Sequence, residues 1–463
     1  QRTSLLWRLG LGAIALVMSI PVLVVVFSLA QPFSAVWQHL VDTVLADYIV
    51  NSLLLMLGVG GGTLVLGVSA AWLTALCEFP GRRFFNWALL LPMAMPAYII
   101  AYTYTGLLDF TGPVQTWLRD TFGWRYGEYF FPEIRSLGGA VCMLSLVLYP
   151  YVYLLVRVSL REQSTAVLEA SRSLGRTPWQ TLFLVALPMA RPAIAAGVSL
   201  ALMETLADYG TVDYFGVSAF TTGIFRTWYG LGDLQTASQL AALLLLFVFT
   251  LFVLERWSRQ RLRFHHSSSR KRATRIHLSG WRAAAALSLT TLILVAGFML
   301  PAARLLLWAL QNWQTNLNLD FLALLGNSFM LAALASISCL VLALFLGYGK
   351  RLHPGRVETG AVRVAATGYA VPGTVIAVGV LVPFAWLDNQ LDSFLREHFD
   401  VSTGLLLSGT LAALLFAYIV RFLSVSLQSV ESGLAAIRPS IDESARSLGS
   451  SPWQVLRRIH IPI

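Results

Sequence analysis

Glu204 and Asp208 stand four residues apart in the largely apolar stretch from Pro192 to Phe215. On a helix this spacing puts both carboxylates on one face, one turn apart. Tyr209, Asp213 and Tyr214 follow toward the same end. Acids among apolar residues are costly, so they line a path for a cation or have a local partner, either a buried arginine or a nearby hydrogen-bond donor. An oxygen-only set of this kind suits a hard cation and repels an anion such as sulfate or molybdate. Gly210 would loosen the helix enough to bring Asp213, otherwise about 140° round the axis from Asp208, toward the same path. We therefore take Glu204, Asp208, Tyr209 and Asp213 as candidate path residues, with Glu204 and Asp208 as transient metal contacts.

Other chemistry is missing. Cys77, Cys142 and Cys339 lie inside apolar runs without metal or disulfide spacing. His39, His265, His266, His277, His353, His398 and His460 fall in loops or at ends and receive no role. A phosphate-cradling loop needs G-x-x-x-x-G-K-[ST], but Gly349-Lys350 is followed by Arg351. The cluster Gly58, Gly60, Gly61 and Gly62 sits in an apolar helix, where glycine more often permits close packing than ligand binding. The chain is not expected to hydrolyse ATP, to be an enzyme or to bind a cofactor.

The elements that must position these acids are helices in lipid. Of 463 residues, 57% are hydrophobic and only 12% charged, with a mean hydropathy of +0.68. That excludes disorder, a nucleic-acid-binding globule and an ordinary cytosolic enzyme. About 20 helical residues cross a bilayer, and the sequence predicts ten crossings: Leu9 to Ala30, Ile49 to Cys77, Trp87 to Leu108, Leu137 to Val158, Pro192 to Phe215, Gln235 to Leu254, Ala283 to Leu307, Ser328 to Gly349, Val362 to Trp386 and Thr403 to Leu423. The first is too long for the core of a secretory signal and reads as a retained helix. Pro92, Pro96 and Pro372 remove backbone hydrogen bonds within spans and mark gating bends or packing kinks.

The net charge of +10 marks the inner face. Arg82 and Arg83, the segment Arg157 to Arg191 and the segment Lys350 to Arg363 are basic, whereas Gln31 to Tyr48 and Leu310 to Asn327 hold no Lys or Arg. This predicts a cytoplasmic N-terminus. Arg256 to Arg282 carries nine basic and no acidic residues. It reads as a cytoplasmic linker, with recognition of anionic lipid as the alternative.

The two halves repeat. Residues 169–180 (EASRSLGRTPWQ) return at 443–454 (ESARSLGSSPWQ), eight of twelve identical at an offset of 274. Pro80, Gly81 and Arg82 match Pro354, Gly355 and Arg356 at the same offset, and Pro96 matches Pro372 at 276. In each copy a helix should end at Gly175 or Gly449, where glycine supplies the left-handed conformation. A second short helix should begin with a capping box, Thr177-Pro178-Trp179-Gln180 or Ser451-Pro452-Trp453-Gln454. Two matching helix-turn-helix loops on one membrane face predict two docking sites for a symmetric partner.

Glu169, Ala170, Gly175, Leu187 and Pro188, and again Glu443, Gly449, Ile461 and Pro462, resemble the EAA loop of type I bacterial ABC-importer permeases, with Ser444 where alanine is usual. The resemblance implies that Pro178, Trp179, Pro452 and Trp453 lie in loops that each receive one copy of an ABC ATPase subunit. ATP and Mg would reside on that partner, and closure of the ATPase pair would rock the membrane helices between inward-open and outward-open states. The run Glu204 to Gly216 with Phe220 to Gly230 resembles the fused iron(III) permeases of this superfamily, which span the bacterial inner membrane and take ferric ion from a periplasmic ferric-binding protein. Thiamine and polyamine permeases are the alternatives, and a proton-coupled secondary transporter is the alternative from another class.

The expected fold is an all-α polytopic membrane protein of two tandem permease units, with 6 + 6 spans in the family and about ten present here. The divisions are an N-terminal helix and outer loop (1–45), a first permease unit (46–255), a basic linker (256–282), the first helix and outer loop of the second half (283–322), and a second permease unit (323–463). Because nothing matches the first half's last two helices, the second unit is expected to be incomplete and the full protein about 70 or more residues longer.

Overall fold

In a computed structural model, which describes residues 2–125, 127–162, 171, 173–260 and 275–460, the apolar stretches form helices. In lipid a helix satisfies every backbone donor and acceptor within its own segment. Among the described residues nine helices are long and apolar enough to cross a bilayer, and a tenth crossing results if the pair Arg82–Ala94 and Ala97–Phe122, bent by 91°, counts as one. One two-residue parallel pair, Cys77–Glu78 against Ile276–His277, interrupts the all-α pattern.

Several boundaries depart from the sequence-based spans. The third and ninth crossings are broken rather than kinked. Leu91–Ala94 is a short 3-10 turn and Pro96 is the N-cap of Ala97–Leu108. Thr367–Ala370 repeats the 3-10 turn 276 residues later, and Pro372 is the N-cap of Gly373–Phe399. The cause is local: a residue before proline is pushed out of the helical region, and Met95 and Val371 have ψ of 122° and 129°. Leu310 to Asn327, expected as a loop, is mostly helix, since Leu300–Asn316 runs nearly into Leu319–Leu352. Leu182–Ala186 and Leu456–His460 are both wide π-type turns, so the repeat at 274 extends to backbone form.

The chain forms two compact units that cut across its linear halves: Gln1–Phe33 with Thr227–Leu245 and Gln314–Ile463, and Ser34–Arg226 with Leu246–Trp313. In the former, the N-terminal helix Arg2–Ser28 packs with second-half helices. Trp7 stacks on Phe345 at 4.6 Å, and Arg8 Nε lies 2.7 Å from the buried Glu358. In the latter, Leu45–Leu76 packs along Leu137–Glu162. Glycine makes that approach possible, as a Cβ on Gly58 would fall 2.7 Å from Val141 and one on Gly67 2.6 Å from Val152. Within the glycine cluster, Gly58, Gly60 and Gly62 thus serve packing against neighbouring side chains. Tyr149 and Tyr153, one turn apart on the Leu137–Glu162 helix, donate hydroxyl hydrogen bonds to the carbonyls of Leu89 (2.8 Å) and Asn86 (3.0 Å), fixing the broken third crossing against it.

Candidate functional site

The helix Leu187–Ala207 carries Glu204 in its last turn and stops at Asp208, whose backbone is extended (φ −73°, ψ 120°). The break lies at Asp208 itself, not at Gly210. The Asp208 carboxylate accepts hydrogen bonds from Thr211 N (2.9 Å), Thr211 Oγ1 (3.1 Å) and Val212 N (3.2 Å), and so caps the separate turn Gly210–Tyr214. A short acid that can bond backbone N–H groups ahead of it competes with helix continuation. Gly210 packs against Tyr98, where a Cβ would lie 3.1 Å from the tyrosine Cβ.

Despite the break, Glu204 and Asp208 line one cavity of about 210 Å³. Its other walls are Met93, Met95, Pro96 and Ala97 from the broken crossing, and Leu144, Val147, Leu148 and Tyr151 from the Leu137–Glu162 helix. Asp213 is exposed and is not on this wall, so it does not join the pair; Tyr209 instead packs on Phe225 at 4.4 Å between ring centroids. Among the described residues no three His, Cys, Asp or Glu side chains converge as a metal centre. The cavity therefore presents two carboxylates within a mostly apolar wall. Met93, Met95 and Tyr151 were not singled out from the sequence; the prolines beside them, Pro92, Pro96 and Pro150, were the available signal.

In both repeated loops the glycine and the capping box take the expected form, while residues 163–170 and 172 of the first loop lie outside the described residues. Gly175 and Gly449 take φ of 77° and 82°. Thr177 and Gln180 cap reciprocally, with Thr177 N donating to Gln180 Oε1 (3.0 Å) and Gln180 N to Thr177 Oγ1 (3.3 Å). Ser451 and Gln454 do the same at 2.8 and 3.3 Å. Each loop presents a leucine and a tryptophan at equivalent positions: Leu174 is 81% and Leu448 87% exposed, Trp179 58% and Trp453 65%. Pro178 and Pro452 open the second short helix of each loop, and Pro188 stands at the start of Leu187–Ala207. Glu443 is exposed on the helix Pro439–Ser447. Glu169, Ala170 and Pro462 lie outside the described residues.

The second loop also holds a buried polar contact. His460, given no role from sequence, is buried, and its Nε2 lies 2.7 Å from Asp442 Oδ1. The other Asp442 oxygen meets Arg351 Nε at 2.7 Å. Arg351 also donates to the carbonyls of Leu434 and Ile437 (2.9 Å to the latter), which end the helix Leu411–Ala436. Burial opposes ionisation of Asp442, but Arg351 and His460 outweigh it and hold its carboxyl below the usual range. These residues are far apart in sequence, and nothing in their spacing announces the contact.

The sequence matches the family described as "binding-protein-dependent transport system inner membrane component" over residues 63–264 and 339–463. The Fe(3+)-transport system permease protein FbpB 2 of Haemophilus influenzae is 24% identical over 425 residues, covering 90% of this chain and 76% of the relative. The molybdenum transport system permease protein ModB of the same organism is 26% identical over 206 residues, 43% of this chain and 87% of the relative. The sulfate transport system permease protein CysT of Escherichia coli is 30% identical over 207 residues, 43% of this chain and 69% of the relative.

Proposed function

Since this chain belongs to the family of inner membrane components of binding-protein-dependent transport systems, and is a permease, we propose that its cargo is iron(III). The single observation behind the metal is the cavity within the membrane helices that Glu204 and Asp208 both line. Two carboxylates attract a hard cation and repel an oxyanion. The ferric relative is matched along 90% of this chain, whereas the molybdenum and sulfate relatives are each matched along 43%. The cavity volume of about 210 Å³ is below the 300 Å³ or more usual for organic ligands. That supports a small ion over thiamine or a polyamine.

In this reading iron arrives from an extracytoplasmic ferric-binding protein, and a separate ATPase supplies the energy for alternating access. Two ATPase copies dock on the two capped loops, through Leu174 and Trp179 on one and Leu448 and Trp453 on the other. The N-terminus and the basic linker lie on the cytoplasmic side, where arginine and lysine accumulate. Identifying the ligand held by the cognate binding protein tests the metal: ferric ion supports the proposal, and thiamine, a polyamine or an oxyanion overturns it.

A further inference from the structure

The second loop is tied to its membrane helices by a charged, hydrogen-bonded network. Arg351, at the end of Leu319–Leu352, takes the terminal carbonyls of Leu411–Ala436 and one oxygen of Asp442 on the loop helix Pro439–Ser447. The other Asp442 oxygen holds His460, beyond the loop's second short helix. Tyr348, also on Leu319–Leu352, donates its hydroxyl to the Pro452 carbonyl at 2.5 Å, and its ring stands edge-on to His460 at 5.4 Å. One largely buried polar network therefore grips both short helices of the loop and two long helices. Stepping back 274 positions gives Cys77, Leu168, Ala186 and Thr74 in place of Arg351, Asp442, His460 and Tyr348. Those residues cannot form the ion pairs. Among the described residues, the first loop has contacts of another kind, Trp179 against Trp72 at 4.8 Å and the hydroxyls of Ser171 and Thr181 at 3.1 Å. Apolar contact is non-directional and allows sliding. A charged, hydrogen-bonded network holds one geometry.

Resting on the reading that both loops receive an ATPase, we propose that the second loop is the stiff lever of the pair. Arg351, Asp442 and His460 are positioning residues that pass the partner's movement to Leu319–Leu352 and Leu411–Ala436. The first loop is a compliant dock.

The test uses the full chain, assembled with its ATPase and binding protein in proteoliposomes, and reads ATPase subunits retained, ATP hydrolysed and cargo moved per ATP. Asp442→Leu copies the first loop's Leu168, and Asp442→Asn keeps the shape while removing the charge. Both should retain the ATPase and lower cargo per ATP about tenfold, because they break a buried charge pair. Leu168→Ala should leave that ratio within about twofold, since it breaks no ion pair. A second measurement reads stiffness directly, with spin labels at Leu448→Cys and Val341→Cys in a chain whose three native cysteines are replaced by serine. The label distance should be narrow in this parent and broad with Asp442→Asn. Unchanged cargo per ATP, an equal loss with Leu168→Ala, loss of ATPase retention in Asp442→Asn, or an unbroadened distance would each overturn the proposal. Failure of the unsubstituted chain to retain an ATPase would instead overturn the docking reading, while the label distances would still report on the lever.

Discussion

Replacing Asp208 separates its two roles, as a helix cap and as a cavity carboxylate. Asparagine caps about as well as aspartate, so Asp208→Asn should keep the bonds to Thr211 N and Val212 N and change stability by less than about 0.5 kcal/mol. Alanine loses the cap, at a cost of about 1 kcal/mol. Both remove the charge. Two unit charges 4 Å apart attract by about 4 kcal/mol at the effective dielectric of 20 typical of proteins, and a trivalent ion triples this. Desolvation of the ion cancels most of it. If one tenth survives in the transition state for passage, about 1.2 kcal/mol remains, or about eightfold in rate. Uptake of radioactive ferric ion into proteoliposomes, with melting in detergent measured in parallel, should therefore show about an eightfold loss for both variants and a stability loss for Asp208→Ala alone. Wild-type uptake by Asp208→Asn would reduce the carboxylate to a helix cap and refute the cation path.

Further outcomes can be checked on other residues. Gly67→Ala should destabilise the chain by about 1–3 kcal/mol, because its Cβ would fall 2.6 Å from Val152 and 2.9 Å from the Tyr149 carbonyl. Gly61→Ala, where nothing lies within 4 Å, should melt no lower than the parent. Glu169→Lys together with Glu443→Lys should abolish copurification of the ATPase without lowering the melting temperature; an ATPase that stays bound would remove the loops as docks. The depressed carboxyl of Asp442 contributes stability that is complete above the unfolded aspartate value of about 3.9 and is lost as pH falls through the lower native value. The melting difference between parent and Asp442→Asn should hold from about pH 7 to 5 and close below about pH 4, and a difference that vanishes near pH 6 would contradict the assignment.

Much of this architecture was legible because it rests on local rules. Lipid demands long apolar helices, and the capping boxes at Thr177 and Ser451, with glycines at 175 and 449, are set by neighbours within four residues. The errors arose where two local preferences compete. Asp208 fits a helical face by spacing, yet its carboxylate bonds better to the backbone ahead of it, and the helix ends there. Pro96 and Pro372 pointed to gating bends or packing kinks; the restriction each places on the preceding residue ends the helical segment there, and at Pro96 the crossing bends by 91°. Asp213 lost its place beside Asp208 because Gly210 begins a new turn instead of loosening an old one. The Arg351, Asp442 and His460 network was invisible for another reason. Its members are 91 and 18 residues apart, and only tertiary packing joins them.

We propose that ATP hydrolysed by a separate subunit drives ferric ion through this permease. It is tested most directly by ferric uptake into proteoliposomes holding the chain, its ATPase and the loaded binding protein. Uptake should require ATP, stop with vanadate and continue with a protonophore. Uptake that survives vanadate and collapses with the protonophore would contradict it.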